Sequence, residues 1–158
     1  MKQLQIGIIG VGRFGRLHLK VFQQLPGCKV VAVSDTDKVL LKEIVEEFNI
    51  ERSYNNATDL INDPSIDVVD VVSPEDTHGP FAIEAIKNEK HVFIEKPIAT
   101  IYKDALEIER LAAQKKVQVM VGNISRFSMP YASINKAIEN NKLGKIGSIR
   151  AKRNFSKD

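Results

Sequence analysis

Tryptophan is absent from this 158-residue chain, aromatic residues make up only 6%, and there is a single cysteine. Cys28 therefore has no partner for an internal disulfide, which fits a protein of the reducing cytoplasm. The three histidines, His18, His78 and His91, are dispersed, and neither His-x-x-x-His nor Cys-x-x-Cys spacing occurs, so no metal site is expected. No nucleophile-elbow spacing is present, which removes serine hydrolase chemistry. No apolar run approaches the roughly 18 residues needed to span a bilayer. The N-terminus has one lysine and then a glycine-broken apolar run without a small-residue cleavage site, so neither a membrane span nor a signal peptide is expected.

The formal net charge of +3 is unevenly spread. Six basic residues, Lys142, Lys145, Arg150, Lys152, Arg153 and Lys157, face only Asp158 over residues 142–158. Residues 1–141 are near neutral, with 17 basic and 19 acidic groups. The basic stretch lacks interleaved aromatics, and nucleic acid is not an expected partner.

What the chain does have is Gly10-Val11-Gly12-Arg13-Phe14-Gly15, directly after the apolar run Leu4–Ile9, with Asp35 lying 20 residues beyond Gly15. A Gly-x-Gly-x-x-Gly alone is weak; between a strand and a helix, with an acid closing the second strand, it reads as a dinucleotide turn. Gly10 makes the tight turn, Gly12 has no Cβ to block a pyrophosphate, and Gly15 lets the helix pack closely on the sheet. The helix N-terminus offers N–H groups to phosphates, and Asp35 is placed to accept hydrogen bonds from ribose hydroxyls. Thr36 and Asp37 follow it with no basic residue to receive a 2′-phosphate, so NAD is expected over NADP.

Periodicity predicts strands and helices in strict alternation. Strands are expected at Ile6–Ile9, 29–35, 52–54, 68–72, 91–94 and 117–121. The first helix carries Phe14, Leu17, Val21, Phe22 and Leu25 at helical spacing and ends at Pro26-Gly27. Others are marked by Val39–Phe48, by 57–62, by the Phe81–Ile86 face after Pro80, by Ile101–Ala112, and by Tyr131, Ile134 and Ile138, the last closing near Gly144. The pattern implies an α/β fold with a doubly wound parallel sheet. Ile149, Ala151 and Phe155 alternate with Arg150, Lys152 and Asn154, which predicts a half-buried strand over 146–155 that begins a second sheet. Expected domains are a nucleotide-binding domain over 1–122, a connecting helix segment over 123–145, and the start of a second, truncated domain over 146–158.

The fifth strand runs into Glu95-Lys96-Pro97, a charged pair at the sheet edge where such folds bind ligands. Pro97 holds Lys96 extended. Together with Val33-Ser34-Asp35, with Ser73-Pro74 followed by His78, with Lys90-His91-Val92-Phe93-Ile94-Glu95-Lys96-Pro97, and with Gly122, Arg126, Phe127 and Pro130, these residues resemble the Gfo/Idh/MocA oxidoreductase family. The resemblance implies a Rossmann-type sheet of order 3-2-1-4-5-6 with NAD(P) along its edge. It implies a substrate of sugar or polyol type and a second domain that often forms the oligomer interface. It makes Lys96 the catalytic residue, beside the nicotinamide and the substrate hydroxyl, with a cis Lys96–Pro97 bond. It assigns cofactor contacts to Gly10, Gly12, Arg13, Phe14, Gly15, Asp35, Ser73, Pro74, His78, Glu95 and Lys96, and puts Arg126 near the site.

The family's acid–base pair includes an Asp and a His on one helix of the second domain. This chain has no histidine after His91, so that half of the machinery is not expected here. His18 reads as a packing or cofactor-adjacent residue. The leading expectation is the NAD-binding part of a sugar or polyol oxidoreductase, inactive alone. A non-catalytic NAD(H) sensor, and an enzyme completed by a partner chain, are the alternatives.

Overall fold

A computed structural model of the chain describes residues 3–152. The contacts divide it into two compact units, with the boundary between Gly122 and Asn123. The first unit holds six strands and five helices: β1 Leu4–Ile9, α1 Arg13–Phe22, β2 Cys28–Ser34, α2 Lys38–Phe48, β3 Arg52–Tyr54, α3 Ala57–Ile61, β4 Val68–Val71, α4 His78–Lys87, β5 His91–Ile94, α5 Tyr102–Lys115 and β6 Val119–Val121. All strand pairs are parallel, in the order β3-β2-β1-β4-β5-β6. This is the doubly wound Rossmann sheet that the alternation and the resemblance imply.

The sheet is covered on both faces, which explains the continuous apolar centre of β2. On one face Ile6, Ile8, Val30 and Val33 pack with Leu19 of α1 and with Leu41, Ile44 and Phe48 of α2. On the other, Ile9, Val31, Val69, Val71, Val92 and Ile94 pack with α3, α4 and α5. Because side chains alternate along a strand, Asp70, Phe93 and Glu95 fall on the α1 face, opposite to Val69, Val71, Val92 and Ile94.

Asp37 starts α2, its side chain accepting the Val39 and Leu40 N–H groups. Helix α1 differs. It ends at Phe22, and Phe14, Leu17, Val21 and Leu25 are all exposed, whereas Gly15 and Leu19 are buried. The glycine, not the largest apolar side chains, sets which side of α1 meets the sheet. A Cβ on Gly15 would lie 2.0 Å from the Gly10 carbonyl oxygen, so only glycine allows this approach.

The second unit contains a 3-10 turn, Ile124–Phe127, and α6, Met129–Glu139, which ends short of the expected Gly144. No residue of α6 is buried. The strand expected over 146–155 is not formed over 146–152, and Asn154 and Phe155 lie outside the described residues. A half-buried strand exists only within a ladder, and this unit has no other strand among the described residues to pair with it.

The tight α1–β1 approach generates a test. Gly15→Ala should destabilise the chain by about 1–3 kcal/mol or more, as overpacking against main chain does. At Gly12, φ is −62° and a Cβ would have nothing within 4 Å, so alanine should cost under about 1 kcal/mol, the usual penalty at a helix N-cap. Urea denaturation of both variants measures the difference; equal losses would refute the close-approach argument.

Candidate functional site

The turn after β1 is closed by three contacts. Gly10, at φ +89°, donates its N–H to Ser34 O at 2.8 Å, and a Cβ there would meet the main chain of Ser73 at 2.8 Å. Val11 N–H donates to Asp35 Oδ2 at 2.9 Å. Gly12 then caps α1 with no side-chain hydrogen bond, and no acidic residue occupies the first turn. The leading N–H groups of α1 therefore stay uncovered, and the helix dipole adds a positive field there. Arg13 and Phe14 are exposed beside them, with Gly15 buried beneath.

Asp35 does more than the sequence suggests. Besides Val11, it accepts Asp37 N–H through Oδ1 at 3.0 Å. Each oxygen keeps a second lone pair, so the carboxylate both fixes the glycine turn and can accept ribose hydroxyls. It opens into a cleft of about 500 Å³ lined by Ile9, Gly10, Ser34, Asp35, Thr36, Asn55, Asn56, Ala57, Ser73, Pro74, Thr77 and Phe81. Four of the expected site residues, Gly10, Asp35, Ser73 and Pro74, thus share one cavity. Its polar wall at Asn55 and Asn56 had a signal in the sequence, since both follow the third strand at the same sheet edge. An open helix N-terminus for phosphates beside a carboxylate-walled cleft is a donor and acceptor set that fits a dinucleotide.

His78 sits behind this wall, 1% exposed. Its Nδ1 lies 2.7 Å from Pro97 O and its Nε2 2.9 Å from Ser73 O. A neutral ring donates to only one of these carbonyls and the imidazolium to both; in either state the ring fills the space between the loop after β4 and the one after β5. Both ring nitrogens are thereby turned to the main chain. The Thr77 hydroxyl donates to Pro74 O at 2.7 Å, which makes Ser73 Oγ the donor in its 2.6 Å contact with Thr77 Oγ1.

The Lys96–Pro97 peptide is cis, as the resemblance implies. The Lys96 side chain is exposed, and its Nζ lies 3.7 Å from Glu75 Oε1. An exposed pair of this kind contributes about 0–1 kcal/mol and leaves the lysine free to turn to another partner. Glu95 is held more firmly, its Oε2 accepting Lys96 N–H at 3.0 Å. Arg126 is exposed in the 3-10 turn of the second unit.

One constellation is not foreseen by the sequence. His18 Nδ1 lies 2.8 Å from Asp70 Oδ2, and His18 Nε2 lies 3.4 Å from Glu95 Oε1. Asp70 is fully buried, and its Oδ1 has no hydrogen-bond partner. Burial alone would lower the His18 pKa; the hydrogen bond and charge of Asp70, then the charge of Glu95, outweigh it and raise the group above its ordinary 6.5. Burial raises Asp70, against the opposing bond and charge of His18. The available signal was an aspartate inside Val-Val-Asp-Val-Val, since a buried charge requires a partner. Among the described residues no group of His, Cys, Asp and Glu has the arrangement of a metal site, and no helix is long and apolar enough to cross a membrane.

Comparison with known proteins agrees with this geometry. Residues 4–123 match the model of an oxidoreductase family with an NAD-binding Rossmann fold, Gfo/Idh/MocA. The chain is 32% identical over 147 residues to myo-inositol 2-dehydrogenase of Thermotoga maritima, covering 93% of itself and 44% of that protein. It is 31% identical to the NAD(+)-dependent scyllo-inositol 2-dehydrogenase of Bacillus subtilis, covering 90% of itself and 42% of the relative. The structure of scyllo-inositol dehydrogenase from Lactobacillus casei with bound NAD(H) and scyllo-inositol superimposes with a TM-score of 0.85 at 27% identity, over 90% of this chain and 43% of that one. The chain thus spans less than half the length of these relatives. With the sheet order, the glycine turn and the Glu95-Lys96-Pro97 corner all in place, the chain belongs to the Gfo/Idh/MocA oxidoreductase family.

Proposed function

We propose that this chain is the NAD-binding part of an oxidoreductase that moves hydride between nicotinamide and a hydroxyl-bearing carbon of a sugar or polyol. The observation that carries the reading is the joint placement of an uncovered α1 N-terminus and Asp35 at one end of the sheet edge, with Lys96 after β5. Main-chain N–H groups of Gly12, Arg13 and Phe14 bind the pyrophosphate, and Asp35 accepts from ribose hydroxyls. Ser73 and Pro74 line the cofactor after β4, and His78 shapes that wall from behind. NAD supplies the hydride acceptor when bound. Oxidation of the hydroxyl also releases a proton, and Lys96 Nζ orients the hydroxyl and helps that proton leave. Residues 123–145 are a connecting segment and 146–158 the beginning of a second domain that completes the substrate site and carries any homo-oligomer interface. A lone Cys28 suits a cytoplasmic setting, and neither nucleic acid nor membrane is a partner.

Calorimetric titration should show tighter binding of NAD than of NADP, because a 2′-phosphate would meet the Asp35 carboxylate with no cation beside it. Asp35→Ser should narrow that gap while weakening both, since Val11 N–H loses its acceptor. Equal affinities in the wild type would sink the assignment.

The 158-residue chain should bind NADH yet stay at background in a spectrophotometric screen of inositols, hexoses and sugar phosphates with NAD. Positioning and proton transfer are worth many orders of magnitude in rate, and this chain supplies one side of the substrate. Joined to its second domain, Lys96→Ala should lose on the order of 10²-fold in turnover with NAD affinity nearly intact. Robust NADH production by the chain alone, or a loss confined to NAD affinity in Lys96→Ala, would overturn this account.

A further inference from the structure

We propose that His18 is a positioning residue which, from α1, holds Glu95 and through it the main chain of Lys96 at the end of β5. That Lys96 is where chemistry occurs rests on the reading above; the positioning itself does not.

The two oxygens of Glu95 are divided between two tasks. Oε1 faces His18 Nε2 at 3.4 Å, and Oε2 accepts Lys96 N–H at 3.0 Å. The carboxylate therefore links the imidazole to the Lys96 amide in a single step. Gly122 makes room for it, since a Cβ there would lie 3.1 Å from Oε1. The imidazole is itself unable to turn. Asp70 grips Nδ1 at 2.8 Å, Phe93 stacks on the ring with centroids 5.6 Å apart and planes at 23°, and Phe22 meets its edge at 6.3 Å. A rotamer fixed from three sides transmits position rather than absorbing it.

The hold depends on a proton. A neutral ring that donates from Nδ1 to Asp70 turns a lone pair at Nε2 toward Glu95, whereas the imidazolium donates to both. Asp70 and Glu95 are the charged groups that act on the ring, and both favour the imidazolium. His18 stands six residues after Gly12, about 9 Å along the helix axis. One helix thus presents its first turn to the phosphates and its second to the Lys96 corner. A purely structural role, burying Asp70, would need only the Nδ1 contact. The second contact, with its consequence at Lys96, is what separates the two explanations.

Asparagine places a donor where Nδ1 was and glutamine where Nε2 was, so the variants divide the two arms. In the ¹⁵N-labelled 158-residue chain, NMR should show the Lys96 amide titrating with the same midpoint as the His18 ring, above 6.5. His18→Asn should abolish that midpoint and speed hydrogen exchange at the Lys96 amide about tenfold, the value of one charge-assisted hydrogen bond. His18→Gln should keep the protection without the titration, and Glu95→Gln should lower the His18 midpoint. A Lys96 amide that stays flat through the His18 titration, or protection unchanged in His18→Asn, would overturn the proposal. Should His18→Asn not fold, the wild-type coincidence and Glu95→Gln decide it. Calorimetry with NADH on the same sample separates the readings: failure to bind NADH defeats the proposed function and leaves the His18 result standing.

Discussion

Helix α1 begins almost in contact with the strand it leaves. The Gly10 carbonyl oxygen occupies the space that any side chain at residue 15 would need. That approach draws the start of α1 over the end of β1. It forces Gly10 to positive φ against the Ser73 main chain, and it puts Val11 N–H within reach of Asp35 on the neighbouring strand. The ends of β1, β2 and β4 are therefore set by one another. The uncovered first turn of α1 has a separate cause: Gly12 at the N-cap has no side chain to accept from it, although a Cβ there would meet nothing within 4 Å.

A second constraint comes from strand parity. With Val69 and Val71 committed to the α4 and α5 side, Asp70 has to face α1 inside the core, and Phe93 and Glu95 follow on β5. Burying an ion pair in place of packed apolar groups gains little, while removing one partner typically costs about 3–5 kcal/mol. Asp70 also keeps one oxygen unpartnered, a further penalty of about 1–3 kcal/mol. An apolar residue at position 70 would serve stability at least as well. The constellation makes better sense as a device for fixing the far end of the site, which is where its third member, Glu95, stands.

The strand order was implied only by the family resemblance; the α/β alternation, the extents of β3 and β5 and the glycine turn were legible because each depends on local chemistry: alternation and positive φ. Residues whose roles depend on long-range pairing were not. His18 and Asp70 are 52 positions apart, and only the packing of α1 on the sheet brings them together. The resemblance assigned His78 to the cofactor, but its burial against Ser73 O and Pro97 O depends on two loops meeting. The α1 stripe of Phe14, Leu17, Val21 and Leu25 misled, because periodicity reports an amphipathic face and cannot say that glycine takes the buried side. The strand at 146–155 had the right alternation, yet a strand is a property of a pair.

The two ends of the site differ in how firmly they are built. At the glycine turn the groups are tied by hydrogen bonds involving the main chain: Gly10 to Ser34, and Val11 and Asp37 to Asp35. Toward Lys96 the main chain is equally fixed, through Glu95 and through the His78 contact with Pro97, but the ammonium is not. It hangs in solvent on a weak pair with Glu75. On the proposed reading, nucleotide affinity would reside in the fixed groups, and the Lys96 ammonium would leave Glu75 for a substrate hydroxyl.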